Sequence, residues 1–330
     1  MKITKSEKKE CALHRQLFYN SPIVVVDGIT RTGKSMLGPI LTSFEGVELE
    51  RMEMILERIP QLYLLGKITE DAAVALLRIE SDMMLYESML SRNINFRFGD
   101  HSSVFSQVNP WRYVKRIFTK EGDTIVKKIH EDKPIFQVQL HDLLGMSEVH
   151  FKAFEKRLHI VEMIRHPVDL VYSQYKRGYG QREDNDPRIF SFNLKYQDQL
   201  VPWYCNGWET EYLEEKSPIN RTIKSVAERS KRLWSGYEKL DSQNKSQVLF
   251  IPFEKFVTNP HIYIPKIEQF VGRKATKYTP KALKQQKCPR HLDESERANK
   301  LEEIKKMASP ECVKILEKLS ADYERIITTI

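Results

Sequence analysis

The sequence predicts an α/β fold, specifically a three-layer P-loop fold in which helices flank a central parallel sheet. An apolar run at 22–27 is rich in valine, ends in a glycine-bounded loop and is followed by an expected helix. Short apolar strands then alternate with helices along the chain, as in parallel sheets covered on both faces. The 330 residues, of which 41% are hydrophobic, are enough for a large core. We therefore expect a single domain over 1–330.

The loop after the first strand has the sequence GITRTGKS from Gly28 to Ser35, which satisfies the pattern GxxxxGK[ST]. Its glycines allow the backbone to curl so that successive N–H groups face one anion. The positive end of the helix expected over 34–42 adds to that attraction. The loop therefore predicts a phosphate-binding site.

A helical insertion is expected after this first βα unit, over about 45–130. Between 45 and 91, apolar residues recur at steps of three and four, which predicts two or three helices. The remaining elements are assigned from shorter apolar runs. Strands are expected at 133–140, 159–164 and 247–252, and helices at 151–157, 168–176, 225–240 and 261–271. A segment at 178–215 is irregular and aromatic-rich, and a helical tail occupies about 291–330.

Composition excludes several classes of protein. The net charge of +8 is mild for this length and suits an anionic ligand, but no nucleic-acid-binding motif is present, so we expect no nucleic-acid partner. The four cysteines are far apart and form no CxxC pair, which argues against a zinc site or a disulfide framework. The charged beginning and the lack of an apolar run of about 20 residues predict neither a signal peptide nor a transmembrane segment. A cytoplasmic location is expected.

A second anion site is predicted where another strand ends. Arg165 follows the expected strand 159–164, and Ser173 lies on the following helix, near whose start Pro167 stands. A strand end and a helix face can direct a guanidinium and a hydroxyl at one anion. The guanidinium fork binds two phosphate oxygens at once.

Together these motifs resemble the sulfotransferases that use 3′-phosphoadenosine 5′-phosphosulfate (PAPS). In that family a loop of the type RSGTT holds the 5′-phosphosulfate, and RTGKS at 31–35 stands in its place. An R-x-P-x5-S motif after a strand holds the 3′-phosphate, and 165–173 matches it. Trp234, the strand at 247–251 and the segment 253–260 look like the family's later helix, strand and YEDL-x-x-x-P element. The resemblance covers 22–42 and 133–272.

The resemblance implies transfer of a sulfuryl group from PAPS to a hydroxyl or amine, without a metal. Positive charge from Lys34, Arg31 and the loop N–H groups would neutralise the leaving phosphate, so Lys34 is also a catalytic candidate. Basic residues near the tail, namely Lys281, Lys284, Lys287 and Arg290, would close over the nucleotide. The implied donor-binding residues are Arg31, Thr32, Gly33, Lys34, Ser35, Met36, Arg165, Ser173 and Arg290.

Lys34 departs from the family pattern, which has Thr or Ser after the loop glycine. The lysine makes the loop similar to a Walker A motif, so a P-loop kinase or NTPase that uses magnesium-ATP is the alternative function. The nearest candidate for the acid of a Walker B motif is Asp142, which follows a glutamine-containing strand and matches poorly. A non-catalytic nucleotide- or glycan-binding protein of the same fold is a third possibility.

His141 is the first candidate for the catalytic base, because it ends a strand and a neutral imidazole accepts protons near neutral pH. In the cytosolic branch of the family, a strand ending in K-T-H stands at a similar distance before the arginine, and here Gln139 replaces the lysine. Other branches use a carboxylate. The carboxylate candidates here are Glu45, Glu48 and Glu50. A further histidine, His101, is a weaker candidate for the base.

The aromatic-rich segment suggests the acceptor. Ten aromatic rings lie within 172–212, with Arg177, Arg182 and Arg188 between them. Flat rings beside hydrogen-bond donors suit a sugar or an aromatic molecule, and arginines suit an anionic glycan, although many of the rings would serve packing. We expect a glycan or a small hydroxylated acceptor; the sequence leaves the oligomeric state open.

Overall fold

The computed structural model describes residues 11–100, 102–181 and 186–329. Its strands are β1 (Ile23–Asp27), β2 (Phe136–Gln139), β3 (Leu158–Ile164), β4 (Asn193–Tyr196), β5 (Gln199–Pro202) and β6 (Val248–Pro252). Its helices are α1 (Lys34–Thr42), α2 (Met54–Leu64), α3 (Glu70–Met89), α4 (Trp111–Arg116), α5 (Asp123–Asp132), α6 (Glu148–Phe154), α7 (Pro167–Tyr175), α8 (Glu209–Glu214), α9 (Pro218–Glu238), α10 (Ser242–Lys245), α11 (Phe253–Thr258), α12 (Pro260–Val271), α13 (Thr279–Gln285), α14 (Glu294–Met307) and α15 (Pro310–Ile327).

A parallel four-stranded sheet in the order β2-β1-β3-β6 forms the centre of the fold. All five residues of β1 are buried, because the strand is central and covered on both faces. The segment 47–51 continues the sheet beyond β2: the Arg51 amide donates to the Gln137 carbonyl at 3.0 Å, and the Gln139 amide donates to the Arg51 carbonyl at 2.8 Å. The predicted fold class, a parallel sheet flanked by helices, is confirmed.

Two apolar layers cover the sheet, and alternation along the strands divides the side chains between them. Val24 and Val26 face a core shared with α1, α11, α12 and α13. Ile23 and Val25 face the larger core, shared with α2, α3, α5, α6, α7, α9 and the tail helices. Helices α2, α3 and α5 of the insertion and the tail helices therefore pack on the same side of the sheet.

The structure differs from the sequence-based expectations mainly at 178–215. This segment contains an antiparallel hairpin of β4 and β5, which the sequence analysis left irregular. The turn residues Gln197 and Asp198 both have positive φ, 47° and 58°, in a turn without the glycine that usually marks such hairpins. Helix α9 also begins at Pro218 rather than at 225. In the described part of the chain, no helix is long and apolar enough to cross a membrane.

Candidate active site

The carboxyl ends of β1, β2, β3 and β6 meet at one edge of the sheet, which is where ligands bind in open parallel α/β sheets. The residues that follow these ends are Gly28 after β1, His141 shortly after β2, Arg165 after β3 and Phe253 after β6. The predicted phosphate loop and the predicted second anion site therefore belong to one edge.

The loop after β1 takes a backbone path that glycine permits at two points. At Gly28, with φ of 143°, an added Cβ would lie 2.4 Å from the Met163 carbonyl oxygen. At Gly33, with φ of 100°, it would lie 2.4 Å from the Phe253 ring. Thr32 is buried, and its hydroxyl donates to the Ile29 carbonyl at 2.9 Å. These contacts fix the loop before the start of α1, where Ser35 is exposed.

Lys34 lies inside the loop and is only 4% exposed. Its ammonium donates to the carbonyl of Gly28 and, at 3.4 Å, to that of Ile29. Burial lowers the pKa of Lys34, while nearby carboxyl groups oppose that shift; these belong to Asp27, Asp142, Glu162 and Glu57. The ammonium is thus held against the carbonyl oxygens at the start of the loop.

One of these carboxyl groups, on Glu162, is fully buried beside Asp27, its register partner on β1. Burial raises the pKa of Glu162 well above its usual value, and the proximity of Asp27 raises it further. Both effects favour the neutral form of the Glu162 carboxyl group, which would reduce the negative charge under the loop.

The two predicted anion-binding motifs meet at Arg31. Its Nε donates to the Ser173 hydroxyl at 3.0 Å, and its carbonyl accepts from Nη1 of Arg165 at 2.9 Å. Gln174, the neighbour of Ser173 on α7, donates to the Thr30 carbonyl at 2.8 Å. The structure therefore brings Arg31 together with Arg165 and Ser173, which lie 134 and 142 residues further along the chain.

A second group of residues lies beside this cluster. The guanidinium groups of Arg165 and Arg290 lie 4.7 Å and 5.4 Å from the centre of the Phe253 ring, within cation–π range. Nη2 of Arg290 is 3.4 Å from the Met36 sulfur. Met36 and Arg290, both expected at the donor site, are thus adjacent. Phe253 was not predicted to be a site residue, although its place directly after an apolar strand is a usable signal.

His141 lies on the β2 side of the same edge, with 21% of its side chain exposed. Its Nδ1 is 2.8 Å from Oε2 of Glu57, a residue of α2 that the sequence analysis did not select. Glu57 and Gln61 are polar residues four apart on a helix whose other buried residues are apolar. That spacing was the available signal.

Asp142, next to His141, is engaged by Arg229 of α9. The Arg229 Nε lies 3.0 Å from Oδ1, and its Nη2 contacts Oδ2. Burial alone would raise the pKa of Asp142, but the attraction of Arg229 and its hydrogen bonds lower it. Because both oxygens of Asp142 accept hydrogen bonds from the Arg229 guanidinium, this nearest Walker B candidate is not placed to hold magnesium.

The three carboxylate candidates after α1 have different positions. Glu45 is exposed at the opposite edge of the sheet, where its amide donates to the Lys274 carbonyl at 2.9 Å, so it does not reach the loop. Glu48 is buried between Arg112 and Arg116, which neutralise it. Glu50 lies against Gly38 of α1, and burial raises its pKa to about 8. Only Glu50 of the three lies near Lys34. His101 is outside the described residues.

The aromatic-rich segment contributes both packing and site residues. Trp203 and Tyr212 are buried. The Tyr204 ring lies 5.2 Å from the Arg229 guanidinium, which places it beside Asp142. The Trp203 ring lies 5.5 Å from Arg232. Arg182 is outside the described residues. Rings of the segment after the hairpin therefore lie beside cations of α9, next to Asp142.

A family-wide sequence profile of the sulfotransferase domain matches residues 24–318. No curated protein matches the chain significantly. Similar solved structures include sulfotransferase STF1 of Mycobacterium tuberculosis H37Rv (11% identity, 92% of this chain and 77% of that one, TM-score 0.40). Others are a sulfotransferase of Alicyclobacillus acidocaldarius (15% identity, 91% and 96%, TM-score 0.38) and the sulfotransferase domain of the curacin biosynthetic pathway (12% identity, 91% and 97%, TM-score 0.44).

Proposed function

The chain belongs to the sulfotransferase family, and on that basis we propose that it transfers a sulfuryl group from PAPS to a hydroxyl or amine of its acceptor. The observation that carries the choice of donor is the contact between Arg31 and Ser173, with Arg165 bonded to the same loop residue. This contact supports a second anion site directly beside the phosphate loop. A nucleotide with phosphate groups at both its 5′ and 3′ positions matches two adjacent anion sites.

The loop residues would bind the leaving end of the donor. Lys34 and the loop N–H groups stabilise negative charge on the 5′-phosphate as its bond to sulfur breaks. Arg165 and Ser173 hold the 3′-phosphate, and Arg290 and Met36 lie beside Phe253, where the adenosine would pack. Since the transfer needs alignment of donor and acceptor more than covalent chemistry by the protein, positioning supplies much of the acceleration.

His141 would accept the acceptor's proton as the new bond between oxygen, or nitrogen, and sulfur forms. Glu50 is the competing base. Burial raises its pKa to about 8, which leaves it largely protonated at neutral pH and less able to accept a proton. The imidazole is the better acceptor there, and we assign it this role.

The acceptor is proposed to be a carbohydrate or another small hydroxylated molecule. The partly exposed Tyr204 ring lies against Arg229 of α9 on the side of the site where Asp142 follows His141. Rings beside fixed donors suit the flat faces and hydroxyl groups of a sugar. We also propose that 1–330 act as one domain, because α2 of the insertion supplies Glu57 to this site.

Adenosine 3′,5′-bisphosphate is expected to stabilise the protein without a metal. A ligand that binds only the native state at 100 times its Kd adds about 2.7 kcal/mol of apparent stability. Thermal unfolding is followed with the bisphosphate and with ATP, each with and without magnesium. Stabilisation by magnesium-ATP alone would favour the kinase alternative and reject PAPS as the donor.

Arg165→Ala and Ser173→Ala are expected to weaken binding of the 3′-phosphate selectively. Hydrogen bonds to charged groups contribute about 1.5–3 kcal/mol, so the Arg165 variant should lose roughly 10- to 100-fold in affinity for the bisphosphate. Calorimetry with adenosine 5′-monophosphate, which lacks the 3′-phosphate, should show little change. Arg177→Ala, which removes an exposed arginine just after α7, is the matched control. An equal loss of affinity for both nucleotides would contradict the assignment.

A further inference from the structure

Glu57 contributes a buried carboxylate to the site from the helical insertion, a part of the chain that carries none of the predicted donor-binding motifs. We propose that Glu57 is a positioning residue, which holds the His141 imidazole in the tautomer and orientation needed to accept the acceptor's proton. This inference rests on the proposed function, in which His141 is the base.

Both oxygens of the Glu57 carboxylate are engaged. Oε2 is 2.8 Å from Nδ1 of His141, and Oε1 accepts from Nε2 of Gln61 at 3.1 Å. Because carboxylate oxygens only accept, Nδ1 carries the proton in this contact and donates it. The lone pair of the neutral ring is then on Nε2, the nitrogen on the other side of the imidazole. The contact therefore selects the tautomer that can accept a proton away from Glu57.

The helix that carries Glu57 is firmly held. Leu56 and Ile59, on either side of it, are buried in the main core, where α2 packs against α3 and α6. Glu57 itself is buried, and Gln61, one turn later on the helix, donates a hydrogen bond to its Oε1. A histidine hydrogen-bonded to such a group has little freedom to rotate.

A comparison within the insertion separates this role from simple structural pairing. Glu48, also buried, is neutralised by Arg112 and Arg116. In the described part of the chain, the hydrogen-bond partners of the Glu57 side chain are instead a neutral amide and a partly exposed imidazole. Burying a carboxylate without a permanent cation on it is costly, so this arrangement is a poor way to gain stability alone.

Other charged groups face the pair from the neighbouring elements, and any pH-dependent test must include them. Glu57 and Lys34 interact electrostatically, as do His141 and Asp142. Arg229 from α9 is bonded to Asp142, and Glu50 lies close to Lys34. A substitution confined to Glu57 leaves these groups in place, so the change it causes reports on Glu57.

The test is Glu57→Gln, which keeps the shape and removes the charge. The rate of carbethoxylation of His141 by diethylpyrocarbonate, which reacts with the unprotonated imidazole, is followed by mass spectrometry as a function of pH. Because a neutral amide stabilises an imidazolium less than a carboxylate does, the profile should move to lower pH, so that its midpoint falls. With [35S]PAPS and the best acceptor from a panel of sugars, phenols and alcohols, kcat should fall roughly 10- to 100-fold, as when other histidine-orienting groups are removed.

Two further variants complete the test. Gln61→Met keeps the charge of Glu57 but removes the hydrogen bond to its Oε1. We therefore expect kcat to fall while the midpoint of the carbethoxylation profile stays unchanged. Glu148→Gln on α6, an exposed carboxylate, should alter neither quantity. If Glu57→Gln keeps both its midpoint and its kcat while His141→Asn is inactive, the positioning role is overturned and the proposed function stands. If His141→Asn is fully active, the assignment of the base itself fails.

Discussion

His141→Asn is expected to lower kcat for sulfuryl transfer by about 10²–10⁴-fold, the usual contribution of general acid–base catalysis. The asparagine amide can still donate to Glu57, so the local structure should survive the change. It cannot accept a proton from the acceptor. Single-turnover transfer from [35S]PAPS to the best acceptor of the panel measures the effect on the chemical step.

Binding and folding provide the controls for this variant. Affinity for adenosine 3′,5′-bisphosphate should be unchanged, because the donor-side cluster of Arg31, Arg165 and Ser173 does not include His141. The matched control is His261→Asn, which alters an exposed histidine on α12. A loss of less than tenfold in His141→Asn would mean that another group accepts the proton.

Glu50 is the group to examine in that case. Since burial raises its pKa to about 8, a reaction that depends on ionised Glu50 would become faster as the pH rises through about 8. Glu50→Gln would remove that rise. A pH–rate profile of the wild type therefore separates the two bases independently of the substitutions.

The sequence was sufficient to predict the four strands of the central sheet and the helices beside the site because their signals are local. The apolar run of β1, the glycine-bounded loop and the proline at the start of α7 each specify one element by themselves. The pairing of Arg165 with Ser173 could be predicted for a similar reason: a strand end and the following helix fix their relative positions. Their contact with Arg31 then follows from the parallel order of neighbouring strands.

The partners of His141 and Asp142 could not be predicted in this way. Glu57 and Arg229 are on helices far away in the sequence, and only tertiary packing brings them to the edge of the sheet. Glu45 illustrates the opposite case. It follows α1 closely in sequence, but α1 carries the chain to the edge of the sheet opposite the loop, and Glu45 lies there. The segment 47–51 then runs back beside β2, which brings Glu50 towards the loop.

Lys34→Met is expected to lower kcat by about 10²–10³-fold, the effect of removing one fixed group that stabilises developing charge. Methionine has similar length and suits the buried position. The change removes the buried ammonium that donates to the carbonyl groups of the loop, while Arg31 and the loop N–H groups stay. The loss should appear in single-turnover transfer from PAPS, with a smaller loss in affinity for the bisphosphate product.

The carboxyl groups around Lys34 make a stability control essential. Asp27, Asp142 and Glu57 would lose a compensating charge, so the unfolding temperature of Lys34→Met is measured alongside Lys314→Met, which alters an exposed lysine of α15. A folded Lys34→Met variant with unchanged transfer from PAPS would show that Arg31 and the backbone suffice. The departure of Lys34 from the family's usual Thr or Ser would then have no part in the chemistry. A large loss would instead make Lys34 a catalytic cation of this sulfotransferase. It would then act on a sulfuryl donor from the same loop position at which the lysine of a Walker A motif acts on ATP.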